Sequence, residues 1–310
     1  MLIVGEVDTG LLRGRDLSSG DDGRRLVDLV AGERVLVSTR PRAYARSPQR
    51  PVGVDCELDG LVRHTRGIGT VMQRASITDG QVVQGSAYTT IVRSAGSSRR
   101  PWSYYLSRPG VVETIGKVNA GTLADAFAYP DRKPDTLDLG AVARRITGEV
   151  QASARGGGTD ALRAARSQLR WVARIKEDGE DLADVRFHLH DRRLRLLRFT
   201  TTYASAERLA VACEDVALHD WLVSTLIENV RKAAIGIASR AETLDRLRPA
   251  IDHILHLWMP AGGDEFAEKL WAVLERHAGL TRQWKALSHR IRDQVSVGVA
   301  TAALSVAMPR

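Results

Sequence analysis

Apolar and polar positions alternate along several stretches of the N-terminal half, as they do in half-buried β-strands. Residues 2–7 also favour a strand, and two longer β-prone runs, 70–78 and 81–93, flank the pair Asp79-Gly80. An Asp-Gly pair between such runs favours a tight hairpin, because both central residues of the turn take positive φ. The pattern therefore predicts a β-rich N-terminal half with a hairpin at Asp79-Gly80.

Short helical patterns and chain breakers follow in the same half. Apolar residues recur at helical spacing in residues 123–129 and 139–150, and the breaker PDRKPD lies between them. Earlier in the chain, residues 40–51 are rich in proline and arginine. This segment is predicted to be an exposed loop, because proline interrupts strand pairing and guanidinium groups resist burial.

Three consecutive glycines lie within residues 152–160, ASARGGGTD. Glycine has no side chain to pack and loses much entropy when it is ordered, so this segment is predicted to be a linker. At 310 residues the chain is long enough for two domains of about 150 residues each. We therefore predict a β-rich mixed domain at 1–151, a Gly-rich linker at 152–160 and a second domain at 161–310.

Period-two alternation returns after the linker, in residues 169–176, 185–190 and 194–203. Three successive runs of this kind predict a three-stranded antiparallel meander with one buried face. Beyond Ser205, apolar residues recur at helical spacing in one long helix and in two or three further helices. The predicted fold class is α+β: a β-rich N-terminal domain, then a three-stranded antiparallel meander followed by a helical bundle.

Composition adds a weak preference for acidic partners. The net charge is +8, but arginine far outnumbers lysine, as a GC-rich genome produces without selection for binding. Two cysteines, one in each half, form no disulfide framework and fit a reducing compartment. The longest apolar run, residues 295–307, is far shorter than the roughly 20 residues that a membrane span needs. We expect a cytoplasmic protein without a membrane span.

Candidate sites for cofactors and metals are weak. The glycines at 156–158 lack the lysine that a phosphate-binding loop places at a fixed offset. His188 and His190 share a strand face, as metal ligands can, but Arg186 lies on that face and repels a cation. Because a linker and a solvated strand face explain these features better, we predict no cofactor and no metal.

Three residues form a weak catalytic candidate: Cys213, Asp215 and His219. Asp215 and His219 are four residues apart and hence neighbours on a helix surface. An imidazole oriented by a carboxylate near a thiol can activate a nucleophile. Cys213, however, is six residues from His219. We favour a half-buried histidine satisfied by Asp215, and catalysis by these residues is the alternative.

A basic sheet face is the most informative feature of the sequence. By strand parity, five residues are predicted to share one exposed, partner-binding side of the meander: Arg170, Arg174, Lys176, Arg186 and His190. Such a surface can contact phosphates or acidic side chains. Trp171 and Phe187 fall on the opposite, buried parity, so the face lacks rings for base stacking. An acidic protein partner, or a face that is merely solvated, is therefore preferred over nucleic acid.

Three segments carry a resemblance to an actinobacterial protein family of unknown function: RGIGTV (66–71), RRPWSYYLSRPGVVE (99–113) and CEDVALHDWLVSTL (213–226). The resemblance runs over nearly the whole chain. It implies one component of a gene cassette that also encodes a variant P-loop protein and a methyltransferase. It therefore implies a role that depends on other proteins of the cassette, and it supplies no catalytic residues.

Three functions from different classes remain. The leading hypothesis is a non-enzymatic cytoplasmic component of a multigene bacterial system that acts through protein-protein contacts. It rests on the basic face and on a Trp-rich helical half, which both offer contact surfaces. The alternative is a nucleic-acid-binding protein that uses the same basic face. The second alternative is an enzyme that uses Asp215 and His219.

Overall fold

The computed structural model describes the chain apart from residues 14–19, 41, 59–64, 97, 117–118, 130–134, 155–161, 163, 180, 204, 261–263 and 308–310; the side chains of 20–22, 240 and 298–307 are also outside the description. Within the described residues ten strands form one sheet. In chain order they are β1 (Leu2–Leu11), β2 (Leu36–Ser38), β3 (Tyr44–Arg46), β4 (Arg50–Leu58), β5 (Thr65–Thr78), β6 (Val82–Arg93), β7 (Val111–Ile115), β8 (Ser167–Ile175), β9 (Ala183–Leu189) and β10 (Leu194–Thr201).

The described α-helices are α1 (Gly20–Leu26), α2 (Trp102–Leu106), α3 (Ala120–Phe127), α4 (Leu139–Ser153), α5 (Ala206–Lys232), α6 (Arg240–His253), α7 (Glu265–Ala278) and α8 (Leu280–Ala307). Side chains that accept hydrogen bonds from free N–H groups begin five of them: Asn119, Asp138, Ser205, Ser239 and Asp264. The mixed α+β class is confirmed. None of the described helices is long and apolar enough to cross a membrane.

The predicted hairpin is confirmed. β5 and β6 pair antiparallel from Met72 opposite Tyr88 to Thr78 opposite Val82, and the turn residues Asp79 and Gly80 have φ of 50° and 64°. Away from this turn the two strands separate, and β7 inserts between them, antiparallel to β5 and parallel to β6. The hairpin therefore lies in the middle of the part of the sheet that β1–β7 form.

Strands from both predicted domains share this one sheet. The order is β2, β3, β5, β7, β6, β1, β8, β10 and β9, with β4 also paired to β5. The central strand β1 pairs antiparallel with β6 on one side and with β8 on the other. The sheet consequently has no break at the predicted boundary of 152–160, and residues 155–160 of the predicted linker lie outside the described residues.

The predicted antiparallel meander is wrong in its order. β10 lies between β8 and β9, parallel to β8 and antiparallel to β9. Alternation of apolar and polar residues fixes which face a strand buries, but it does not fix which strand lies next to it. β9 is therefore the last strand of the sheet, and its outer edge pairs with no described strand.

Helices cover both faces of the sheet. On one face α3 and α4 pack with Leu2, Val4 and Val172. On the other face α5 and α7 pack with Ile3 and Trp171, whose indole ring fills the space that a side chain at position 5 would need, since Gly5 has none. The outer sides of α5 contact α6 and α8. The helices that follow Ser205 are thus joined to the sheet through α5.

Residues 40–51 do not form the exposed loop that their prolines and arginines predict. They contain β3 and the start of β4. Arg42 and Arg46 reach α5, where Asp215 and Glu214 respectively supply counter-charges. Ion pairing offsets the cost of burying a guanidinium group, which explains the difference from the sequence prediction.

Candidate functional site

The predicted basic face is only partly exposed. The register places Arg170, Arg174 and Arg186 on the same side of the sheet, as strand parity predicts. Arg170, however, is buried: its Nε donates to Glu6 Oε1 at 2.8 Å, and another of its nitrogens donates to the carbonyl oxygen of Tyr129. The prediction of an exposed Arg170 is wrong because the segment at α3 covers this strand and Glu6 supplies the counter-charge.

The exposed remainder of this face lies at β9 and its neighbouring turns. Lys176, Arg186 and His190 are exposed and Arg174 is half-buried. Arg192 and Arg193, in the turn between β9 and β10, extend the cationic surface. Across the described part of the chain, no carboxylate forms an ion pair with Arg186, Arg192 or Arg193. Their charges are therefore available to a partner.

The nearby carboxylate of Asp191 is occupied by the main chain. It accepts hydrogen bonds from the N–H groups of Leu194 and Arg193, at 2.8 and 2.5 Å, and these bonds hold its pKa below the usual range. His188 and His190 also lie on this surface. The described residues contain no group of three or more side chains that could hold a metal ion. The surface is thus cationic and open, and the carboxylate of Asp191 is committed to shaping the turn.

The weak catalytic candidates do not converge. Cys213 is fully buried in the apolar core that contains Trp171, and this burial raises the pKa of its thiol. Asp215 instead pairs with Arg42, with 2.5 Å between Oδ1 and Nη2. A nucleophilic thiol needs an adjacent base and access to a substrate, and the surroundings of Cys213 provide neither.

His219 is fully buried among tryptophans, and it is not half-buried as the sequence predicts. Its Nδ1 lies 2.7 Å from the main-chain oxygen of Asp215 and 3.5 Å from the nearer carboxylate oxygen. Its ring lies edge-on to Trp258 and Trp271. Burial lowers the pKa of His219, so the neutral ring donates from Nδ1 and offers Nε2 to Arg42, 3.4 Å away. This arrangement gives the histidine a structural role beside Arg42.

A polar cavity of about 130 Å³ lies between α5 and strands β3, β5 and β6. Its buried floor is formed by Ser76, Thr78, Gln84, Ala212 and Glu214. Its half-buried rim is formed by Arg42, Tyr44, Arg46, Val211, Asp215 and Ala267. The cavity is thus a small, partly open space with charged and polar residues at its floor and its rim.

Glu214 is the charged centre of this cavity. Its Oε1 accepts from Arg74 Nε at 2.7 Å, and its Oε2 lies 3.8 Å from Arg46 Nη2. Arg74 is almost completely buried and also lies 3.7 Å from the exposed Glu207. Three buried polar atoms here have no hydrogen-bond partner among the described residues: Arg46 Nε, Arg74 Nη2 and Glu214 Oε2. The cluster of Arg46, Arg74 and Glu214 is therefore incompletely satisfied.

Sequence analysis did not identify this cavity, although two signals for it were present. Arg74, Ser76 and Thr78 occupy like-parity positions of one strand, and such a polar run is normally assigned to solvent. Glu214 lies in a helix whose residues from 209 to 230 are mostly buried. A carboxylate in a buried helix needs a partner, and a strand arginine is the natural choice.

Comparison with known proteins finds no family model, no curated protein and no solved structure that matches this chain significantly. The resemblance to an actinobacterial family and its gene cassette therefore stays a prediction. Functional inference consequently rests on the geometry of the two sites above, the cationic edge at β9 and the polar cavity under α5.

Proposed function

We propose that this protein is a non-enzymatic binding component that docks an acidic segment of a partner protein along β9. The observation that carries the proposal is the outer edge of β9, which no described strand covers. An edge strand offers free main-chain N–H and C=O groups, and an extended segment can add to it as one more strand.

The charges along β9 predict how the bound segment is oriented along the strand. Asp184 is exposed near the start of the strand, and Glu177 and Asp178 are exposed in the loop before it. Arg186 and the arginines of the following turn lie toward the other end. A segment whose acidic residues lie against the 186–193 end complements this distribution, which speeds association and selects against basic segments.

An apolar contact is available beside the cations. Leu189, the last residue of β9, is 64% exposed. In strand addition the main chain supplies affinity and alternate side chains supply specificity, so Leu189 is positioned to contact an apolar side chain of the partner. The resemblance to a cassette component supports a partner-dependent role, and other proteins of that cassette are the proposed partners.

The test uses synthetic strand-forming peptides with alternating Glu and Val or alternating Lys and Val, measured by fluorescence anisotropy on the full chain. We expect the acidic peptide to bind and the basic peptide not to bind. Combined Arg186→Glu and Arg193→Glu should weaken the acidic complex by about ten-fold or more, since two charge contacts become repulsive. Arg170 is left intact, because its loss would strand Glu6 in the interior.

Two controls separate strand addition from general charge attraction. The paired substitutions Arg290→Glu and Arg292→Glu change the net charge equally at exposed positions of α8 and should leave binding unchanged. An acidic peptide with methylated main-chain nitrogens cannot donate to an edge and should not bind. Equal binding to both charge-reversal variants would contradict the proposal. Tight, salt-sensitive binding of RNA or DNA that the β9 variant loses would favour the nucleic-acid alternative.

A further inference from the structure

The two ends of β9 carry opposite charges. Asp184 is exposed at the start of the strand, and Glu177 and Asp178 are exposed in the loop before it. Arg192 and Arg193 are exposed in the turn after it. Antiparallel pairing of two such strands across a two-fold axis places the acidic start of each beside the arginine turn of the other. The edge is therefore complementary in charge to the same edge of a second copy of this chain.

The hydrogen bonds of the sheet fix which main-chain groups of β9 point outward. The N–H of His190 donates to the carbonyl oxygen of Leu194 at 3.0 Å. Because this antiparallel ladder alternates, the even-numbered residues of β9 turn their main-chain groups toward β10. Val185, Phe187 and Leu189 consequently turn theirs toward the open edge, where they can pair with another strand.

One antiparallel register uses all of this edge. Asp184 has a φ of 53°, so regular extended backbone begins at Val185 and runs to Leu189. With the two-fold axis at Phe187, Val185 of each copy lies opposite Leu189 of the other, and each outward pair exchanges two main-chain hydrogen bonds. Any other register leaves an outward residue without a regular partner. An axis at Arg186 would also set two arginines directly opposite each other, which is destabilising.

The apolar side chains along the edge also match in this register. Leu189 is 64% exposed, while Val185 and Phe187 are half-buried and pack against the core that α5 and α7 form with the sheet. Pairing covers Leu189 with Val185 of the second copy and continues this apolar row across the axis. On the opposite face Arg186 of one copy lies across from His188 of the other, so arginines are not directly opposed.

We infer that β9 of one copy pairs antiparallel with β9 of a second copy, so that the two sheets join into one across a two-fold axis. The second copy occupies the edge to which the acidic segment is proposed to bind, and a partner must displace it. Self-association thus regulates access to this edge. The competition rests on the proposed function, whereas the dimer itself does not. Because one strand pair buries less surface than stable dimers need, the dimer is reversible.

Sedimentation velocity on the full chain, from about 1 to about 300 µM, measures the dimer. We expect a monomer–dimer equilibrium with a dissociation constant of about 10–100 µM. Leu189→Gln should raise this constant by about ten-fold, because the dimer loses an apolar contact on each side of its axis. Leu106→Gln, at another leucine with 58% exposure on α2, is the matched control and should not change it.

A proline at the same position tests the main-chain contribution. Leu189→Pro removes an outward N–H and leaves the hydrogen bonds to β10 intact, so it should raise the dissociation constant more than Leu189→Gln does. Circular dichroism checks that each variant is folded. If the proline variant is not folded, the glutamine variant decides the outcome.

Disulfide trapping tests the register. Chains with Val185→Cys are mixed with chains with Leu189→Cys and oxidised with oxidised glutathione. Opposite residues of a hydrogen-bonded pair lie about 5.5 Å apart between Cα atoms, which a disulfide can span. We expect a covalent dimer in the mixture but not from either variant alone, because identical positions lie roughly 13 Å apart along the strands. The unsubstituted chain, with Cys56 and Cys213, gives the background.

The acidic peptide separates this inference from the proposed function. If both hold, added peptide should dissociate the dimer. A dimer that binds no peptide would support the inference and contradict the proposed function, whereas peptide binding by a chain that stays monomeric at the highest concentration would do the reverse. Open-ended assemblies instead of dimers, equal effects of the Leu189 and Leu106 variants, or equal cross-linking by single-variant chains would also overturn the inference.

Discussion

Helix α5 carries two buried arginine-carboxylate pairs that differ in how completely they are satisfied. Asp220 pairs with Arg195 of β10 at 2.9 Å, and Glu214 pairs with Arg74 of β5 at 2.7 Å. All four side chains are at most 5% exposed. The other nitrogens of Arg195 donate to Ser224 Oγ and to the carbonyl oxygen of Asp191. Arg74 and Glu214 each keep an atom without a partner.

The difference shows what each pair is suited to do. The Arg195 pair is closed, because every nitrogen of the guanidinium has an acceptor, and it fastens α5 to the sheet. The Arg74 pair is open, because Arg74 Nη2 and Glu214 Oε2 have no hydrogen-bond partner among the described residues, and Glu214 lines the cavity. Similar chemistry on one helix is thus completely satisfied at Asp220 and incompletely satisfied at Glu214, six residues earlier.

Among the variants that test this comparison, Arg195→Met is expected to lose the most stability. Removing one partner of a closed buried pair leaves the other charge uncompensated, which costs about 3–5 kcal/mol. Arg74→Met should cost less, because Glu214 keeps Arg46 at 3.8 Å and borders an open cavity. Urea unfolding of both variants measures the two losses. A larger loss for Arg74→Met would contradict the distinction between closed and open pairs.

The cost of Arg195→Met should also depend on pH. Burial raises the pKa of Asp220 to about 6, although Arg195 opposes the shift. The folded state therefore holds this proton more tightly than the unfolded state, and stability from this group falls as pH rises from about 4 to about 6. Without Arg195 the folded pKa is higher still, so the fall continues above pH 6. We expect the deficit of Arg195→Met to be larger at about pH 8 than at about pH 5.

A smaller loss is expected from His219→Gln, next to the rim residues Arg42 and Asp215. Glutamine can replace the two hydrogen bonds of the imidazole but not its ring contacts with Trp258 and Trp271, at 5.0 and 5.3 Å between centroids. We expect a loss of about 1–2 kcal/mol in the free energy of unfolding and unchanged peptide binding at β9. Loss of a measured catalytic activity with an unchanged melting temperature would instead favour the enzyme alternative.

The smallest effect is expected from Gly80→Val, in the turn beyond the cavity floor. Gly80 has a φ of 64°, where a β-branched residue is strained. We expect a loss of about 1 kcal/mol in thermal or urea unfolding, with Gly80→Asn as the milder control, because asparagine tolerates this conformation better. A neutral result for valine would show that the turn adjusts without affecting the strands that form the floor.

Features of this fold that depend on neighbouring residues were predictable from sequence. Features that depend on residues far apart in the chain were not. The hairpin at Asp79-Gly80 depends on two neighbouring residues, and α5 has its own periodic pattern and the capping residue Ser205. The position of β10 between β8 and β9 depends on how three strands compete for neighbours, which alternation does not encode. The burial of Arg170 depends on Glu6, far away in the chain but directly opposite across the β1–β8 pair.

The two candidate sites also differ in how far they could be predicted from sequence. The exposed cations of β9 and its turn were identified in part from strand parity alone, since an unpaired arginine tends to remain in water. The cavity under α5 combines side chains from β3, β5, β6 and α5. Glu214 indicates a buried charge within its own helix, but its partners Arg46 and Arg74 lie in separate strands, which only the tertiary fold brings together.

The place of β1 in the sheet has a consequence for biosynthesis. β1 (Leu2–Leu11) pairs with β6 on one side, but its other partner, β8 (Ser167–Ile175), lies in the second half of the chain. At usual translation rates, roughly 10–30 s pass on the ribosome between the two strands. During this time one side of an apolar strand is without its native neighbour. Early chains thus expose an edge that invites aggregation, and release before β8 emerges should direct truncated products toward chaperones or proteases.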